Sequence, residues 1–264
     1  VCSISSGENF VTAVKDDGRV VAWGLGSSGQ LGNGQTVSRN IPVYVIDENG
    51  NELTGITKVA CGSAYAIALK NDGTVWSWGY NAYGNLGVGD TARKLEPTKI
   101  DIDNVVDIAC GNNHVLFLKE DGTVWATGLN NYGQIGNNTT TNVTTPVQVE
   151  NLENIIRIDA GANHSIALNS DGTVYAWGYN GYGQLGNNTT TKSTIPSRVR
   201  KVNNIMDISA GGNHLVLLDS DGTVWATGLN TNGQLGDGTT VNRSKPIRVK
   251  INSKEYLSNI VKIS

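Results

Sequence analysis

The stretch from Ile156 to Val199 decides the fold, and its centre is Ser170-Asp171-Gly172-Thr173-Val174-Tyr175-Ala176-Trp177-Gly178. Ser170-Asp171-Gly172 is a two-residue hairpin signal whose Gly can take a positive φ. Before it, Ile156 to Ala160 and His164 to Asn169 are short β-rich runs on either side of Gly161. After it, Thr173 to Gly178 returns as a strand, with Val174 and Ala176 on one face and Tyr175 and Trp177 on the other. A loop rich in Asn, Gly and Thr follows from Tyr179 to Thr191. Ile195-Pro196-Ser197-Arg198-Val199 then reads as an edge strand, because Pro cannot donate to a central ladder. Four short antiparallel strands in about 50 residues, with no helical period, describe one blade of a β-propeller.

The unit recurs through the chain. Asp-Gly steps place glycines at Gly18, Gly73, Gly122, Gly172 and Gly222, at intervals of 55, 49, 50 and 50 residues. A second glycine keeps phase eleven residues earlier, at Gly7, Gly62, Gly111, Gly161 and Gly211. A third motif does the same: Gln30-Leu31-Gly32, Asn85-Leu86-Gly87, Gln134-Ile135-Gly136, Gln184-Leu185-Gly186 and Gln234-Leu235-Gly236. The copies run over about 1–55, 56–104, 105–154, 155–204 and 205–259, and 260–264 begins a sixth strand set. Together they form one propeller repeat domain over 1–264.

Composition agrees with this reading. The 33 Gly, 31 Asn and 24 Thr in 264 residues favour turns and strands over helix interiors. With 38% hydrophobic residues, 6 Trp and 9 Tyr, the chain has the apolar surface for a core. A net charge of −3 offers no basic surplus for a phosphate backbone, so nucleic acid is not an expected partner. No apolar run is long enough to span a bilayer as a helix. Cys2, Cys61 and Cys110 have neither CxxC spacing nor a His cluster nearby, so they read as small thiols rather than a metal site.

The pattern Ala160-Gly161-Ala162-Asn163-His164, Asp171-Gly172-Thr173-Val174-Tyr175, Trp177-Gly178 and Gly183-Gln184-Leu185-Gly186 resembles the regulator of chromosome condensation repeat, in five registered copies. The kelch repeat has a similar length but is marked by a paired glycine that only Gly211-Gly212 mimics. The resemblance implies an all-β propeller of four-stranded blades. The family commonly has seven blades, so the five seen here are read as a segment of a longer array. A five-bladed ring with one frayed end, or end-to-end association through the terminal strands, are the other two outcomes. They are considered because Val1-Cys2-Ser3-Ile4-Ser5 and Ile260-Val261-Lys262-Ile263-Ser264 are in the same phase.

Candidate site residues divide into frame and rim. His114, His164 and His214 share one phase, with Phe10 and Tyr65 in the first two copies, so they read as structural, one ring nitrogen bonding a neighbouring blade. Asn9, Asn113, Asn163 and Asn213 beside them would satisfy loop backbone groups, although copy two has Ala64. Trp76, Trp125, Tyr175 and Trp225, with Trp23, Trp78 and Trp177, are expected in the blade core. Gly24-Leu25-Gly26-Ser27-Ser28-Gly29 spells a dinucleotide fingerprint, but no helix follows to receive a pyrophosphate, so no cofactor is expected. The loops with Asn81 and Tyr83, Asn131 and Tyr132, Tyr182, and Asn232 share one blade edge. Tyr among Asn and Gly is the side-chain usage of recognition loops, which makes these the expected partner-binding residues.

No paired carboxylates, nucleophile triad or activated Cys stands out from the repeat. The expected function is a non-catalytic scaffold for a protein partner. The resemblance also implies guanine-nucleotide exchange on a small GTPase, an activity that family members carry out with an inserted wedge. The longer linkers here are Asp47 to Glu52, with Asn49-Gly50 reading as a hairpin tip, and Ile251 to Ser258. Carbohydrate binding through Tyr83, Tyr132 and Tyr182 is a further alternative. The Asn- and Thr-rich, Lys-poor composition points to an extracellular or cell-surface bacterial protein, with the cytoplasm left open.

Overall fold

In the computed structural model, residues 1–264 form twenty strands and no helix. They group in chain order into five four-stranded antiparallel sheets. The first holds β1 (Ser3–Ser6), β2 (Phe10–Val14), β3 (Val20–Gly24) and β4 (Arg39–Tyr44), and the second β5 (Ile56–Cys61), β6 (Tyr65–Lys70), β7 (Val75–Gly79) and β8 (Lys94–Lys99). The third holds β9 (Val105–Cys110), β10 (His114–Lys119), β11 (Val124–Gly128) and β12 (Val143–Gln148). The fourth holds β13 (Ile155–Ala160), β14 (His164–Asn169), β15 (Val174–Gly178) and β16 (Ser193–Arg198). The fifth holds β17 (Ile205–Ala210), β18 (His214–Asp219), β19 (Val224–Gly228) and β20 (Arg243–Arg248). The strand containing Pro196 is an edge strand, as Pro requires.

Contacts gather the chain into two compact units: Val1–Glu120 with Trp125–Leu129 and Asn142–Gln148, and Asp121–Val124 with Asn130–Thr141 and Val149–Ser264. Within the first unit, Phe10, Leu31, Val59 and Trp78 fill one seam between sheets. Tyr65, Leu86, Ile108 and Phe117 fill the next. Within the second unit, Ile166, Leu185, Ile208 and Leu215 make the equivalent seam. Leu31, Leu86 and Leu185 of the Gln-Leu-Gly type turns are wholly buried in these seams, a burial that contributes on the order of 1.5–3 kcal/mol per side chain.

Two expectations are corrected by the structure. The Asp-Gly hairpin is a three-residue loop, not a two-residue one. Asn169 donates its N–H to Thr173 O (2.8 Å) and Gly172 to Asn169 O (2.9 Å). Only Gly172 has a positive φ, 79°, whereas a two-residue type I′ turn needs two such residues. Asp171 acts through its carboxylate, which accepts the Thr173 N–H at 2.8 Å.

The aromatic set is not uniformly core. Trp78 and Trp177 are fully buried under the Gln-Leu-Gly type turns and donate Nε1–H to Gln30 O (3.0 Å) and Gln134 O (2.9 Å). Trp76, Trp125, Tyr175 and Trp225, two residues earlier or their equivalents, are only half-buried, and Trp23 is half-buried as well. Cations lie over three of the rings: Lys70 over Trp76, Lys119 over Trp125 and Arg248 over Trp225, at 5.8, 5.4 and 5.1 Å.

The start of a sixth strand set at 260–264 forms no strand. Its backbone nevertheless repeats the anchoring of a first strand. Ile260 N–H donates to Gly222 O (3.1 Å), as Ile205 N–H does to Gly172 O (3.2 Å). Val261 in this stretch is 88% exposed.

Candidate functional site

In an antiparallel sheet the loop after the first strand and the loop after the third leave from the same end. The His-bearing turns and the Tyr-bearing loops therefore share an edge, with the Asp-Gly hairpins at the other.

Each Tyr-bearing loop is built on a buried floor of side-chain hydrogen bonds. Asn180, wholly buried, accepts the Leu185 N–H at Oδ1 (3.0 Å) and donates Nδ2–H to Thr189 O (3.1 Å) and Thr191 O (2.9 Å). Gln184, also buried, accepts the Tyr182 N–H at Oε1 (3.1 Å). Asn130 and Gln134 repeat this for Ile135 and Tyr132, and Asn230 and Gln234 for Leu235 and Asn232. Asn81 belongs to the floor: it is 1% exposed, accepts the Leu86 N–H (2.9 Å) and donates to Ala92 O (3.0 Å). It presents nothing to a partner, which corrects the sequence-based expectation. The register explains the error, since Asn81 corresponds to Asn130 and not to its exposed neighbour Asn131.

The crest of the loops carries the tyrosines. Tyr132 is 38% exposed, Tyr83 and Tyr182 are half-buried, and Asn131 and Asn232 are exposed. A residue not singled out in the sequence joins them. Tyr179 stacks on Tyr132 (centroids 4.8 Å apart, 57° tilt) and meets Tyr182 edge-on (5.9 Å, 82°). Partial burial, with Tyr182 and Tyr132 close by, raises the Tyr179 hydroxyl pKa above its ordinary value. Tyr80 and Tyr83 form the corresponding pair at 6.0 Å. The available signal was the alternation Leu25, Tyr80, Leu129, Tyr179, Leu229 just after each third strand. Gly181 makes room for the cluster, because a Cβ there would lie 2.3 Å from the Tyr179 hydroxyl. Lys192 ties the preceding loop down by donating to Asn131 O (3.2 Å).

The neighbouring turns are packing devices. His114 and His164 are buried and His214 half-buried, its pKa lowered by desolvation. The His164 ring lies over Gly161, where a Cβ would meet it at 2.1 Å. Tyr65, at the same phase, donates its hydroxyl to Gly111 O and His114 O (2.9 and 2.7 Å). The adjacent Asn positions work through the backbone: the carbonyls of Asn9, Asn113, Asn163 and Asn213 accept N–H groups of the following loops, and Ala64 does so for Tyr80 (2.9 Å). That is why Ala serves in copy two. No group of three His, Cys, Asp or Glu side chains comes together to hold a metal ion. The linker at Asp47 closes on itself as a tight turn, Asp47 N–H to Asn51 O at 2.8 Å and Gly50 at φ 80°.

Residues 1–264 match the family described as the RCC1-like domain over their whole length. The chain belongs to this RCC1-like family. Human WBSCR16 has the same fold (TM-score 0.81, 25% identity, covering 94% of this chain and 66% of that one). So does Prp20p from Saccharomyces cerevisiae, a protein studied for its binding to Gsp1p and histones (TM-score 0.79, 24% identity, 94% and 65% coverage). Among curated relatives, the ultraviolet-B receptor UVR8 of Arabidopsis thaliana is 35% identical over 97 residues, 37% of this chain and 21% of that protein. The human E3 ubiquitin-protein ligase HERC2 is 32% identical over 100 residues, 38% of this chain and 2% of that protein. The chain thus spans a minor part of these relatives. Its RCC1-like fold of four-stranded propeller sheets agrees with the sequence reading.

Proposed function

We propose that this RCC1-like chain is a protein-binding scaffold that acts by contact rather than chemistry, with the loop edges bearing Tyr83 in the first unit and Tyr132 and Tyr182 in the second as its contact residues. The observation that carries the reading is the Tyr132–Tyr179–Tyr182 cluster on loops held by buried Asn and Gln. Such rings offer large contact area with few rotamers to freeze, on backbone that is already ordered. Exposed Asn131 and Asn232 supply adaptable hydrogen bonding beside them. An extracellular or cell-surface setting belongs to the same proposal and rests on composition alone.

The test is a pull-down with the intact chain and with a variant carrying Tyr83→Ala, Tyr132→Ala and Tyr182→Ala, read by mass spectrometry. The expected outcome is a protein retained by the parent and lost by the variant, with the melting temperature nearly unchanged. Equal retention by both would overturn the assignment of this edge.

A further inference from the structure

A second surface lies along the outer strands of the second unit, beside the far ends of the Asn180 and Asn230 loops. A pocket of about 630 Å³ is lined by Lys201, Arg243, Arg248 and Lys250 together with Trp225 and Tyr256. The repeat-equivalent pocket one copy earlier, about 670 Å³, is lined by Arg198, Arg200 and Lys201 and contains no acid. Lys201 lines both, so the two pockets adjoin at this residue and together make a cationic track.

Arg248 is the organised element of this track. Its guanidinium lies 5.1 Å from the Trp225 ring centroid and 5.6 Å from that of Tyr256. Trp225 is fixed by donating Nε1–H to Asp219 (2.9 Å), and Tyr256 is brought in by a bridge to Lys250 within the longer fifth linker. The guanidinium thus lies against two rings, and no carboxylate pairs with it. The single acid in either pocket, Asp237, is used by Arg243 (Nε to Oδ2, 2.7 Å). Burial alone would raise the Asp237 carboxyl, but the hydrogen bonds from Thr239 and Arg243 hold it below its ordinary value, so that pair is internal.

The repeat frame does not require these charges. The position of Arg200 and Lys250 is Ile46, Asp101 and Glu150 in the other copies. Lys201 sits in the left-handed region at φ 64°, where copy three has Asn151 at 57°. Left-handed backbone is easier for Asn than for Lys, so Lys is retained here at a conformational cost.

We propose that this track binds an acidic polypeptide segment in extended form, its carboxylates meeting the Arg248 fork and the lysines at Lys201 and Lys250. The elongated shape, spanning two equivalent pockets, fits a linear chain better than a single small anion. A planar guanidinium fork is suited to carboxylate.

The test is fluorescence anisotropy with three labelled probes: a glutamate-rich peptide, its glutamine counterpart, and a single-stranded oligonucleotide of equal charge. The glutamate peptide should bind at low ionic strength, weaken with added salt, and outcompete both other probes. Arg248→Gln and Lys201→Asn together should weaken it by about tenfold or more, the order of one or two charge-assisted hydrogen bonds. Lys201→Asn alone should weaken binding while holding or raising the melting temperature, which separates loss of the ligand from loss of the fold. The tyrosine variant of the preceding section should bind the peptide normally. The proposal is overturned by absent glutamate-peptide binding, by unchanged affinity in the double variant, or by an oligonucleotide that binds as tightly.

Discussion

The floor and the crest of the same loops make an informative comparison. Asn130 and Asn131 are neighbours of one residue type, yet Asn130 is wholly buried and Asn131 exposed. The floor repeats in four of the five copies, with Asn81, Asn130, Asn180 and Asn230 cross-linking their loops where copy one has Gly26, while the crest changes from Ala82-Tyr83 to Thr231-Asn232. A repeated residue in this chain marks a backbone that must be held. A varying residue on top of it is free to be used. The same contrast holds just after the outer strands, where Val45, Ile100, Val149, Val199 and Val249 are all apolar while the next residue runs Ile46, Asp101, Glu150, Arg200 and Lys250.

The comparison can be broken most strongly at two glycines of the floor. Gly183 has φ 81°, and a Cβ there would lie 2.5 Å from Ser244 Cα; Gly233 has φ 77° and nothing within 4 Å. Gly233→Ala meets only the left-handed penalty and should cost about 1–2 kcal/mol. Gly183→Ala adds a backbone clash and should cost about 3 kcal/mol or more, as overpacking does. Denaturant unfolding of the two variants, showing equal loss, would refute the packing argument.

Next in size is the floor asparagine itself. Asn180→Ala leaves the Leu185 N–H and the Thr189 and Thr191 carbonyls without their partner, so a loss of about 2–3 kcal/mol is expected. Asn131→Ala on the crest should stay within about 0.5 kcal/mol. Thermal melts of the pair measure the contrast between floor and crest directly.

Smaller in stability but sharper for function is Gly181→Ala. Gly181 is not among the positive-φ residues, so the new methyl acts only by pushing the Tyr179 hydroxyl aside. The melting temperature should hold within a degree or two of the parent, about the effect of a surface change. Partner retention in the pull-down should fall. Normal retention would show that Tyr179 does not matter to the contact surface.

The smallest expected effect concerns pH. Desolvation lowers the His214 pKa in the folded chain, so the native state favours the neutral ring. As pH falls through the unfolded value of about 6.5, the unfolded chain takes up the proton first and stability declines, levelling off below the folded value. Phe occupies this phase at Phe10, so His214→Phe should fold and lose that part of the acid-side slope. Identical pH profiles for the parent and the variant would rule the contribution out.

Much of the architecture is legible in the residues themselves. The period near 50, the Asp-Gly steps and the Pro-bearing edge strand specify five four-stranded sheets, because each follows from local backbone chemistry. The site was legible only in part. Tyr83, Tyr132 and Tyr182 were visible as aromatics in polar turns, but Tyr179 was hidden in what looked like frame, and Asn81 was placed on the wrong side of its loop. Both errors turn on which way a side chain faces in an irregular loop, where no period exists to read it from.

The residue order alone carries the repeat, its period and the four antiparallel strands of each copy. Strand alternation and turn stereochemistry act within a few residues and leave their mark in the spelling. The tertiary structure alone decided that Asn9 and its equivalents serve through their carbonyls, that Trp78 is core while Trp76 stacks under a lysine, and that Arg248 lies between Trp225 and Tyr256. Those outcomes depend on which atoms of distant segments arrive at the same place. Burial and electrostatics are set by that convergence in space, and a linear order of residues does not contain it.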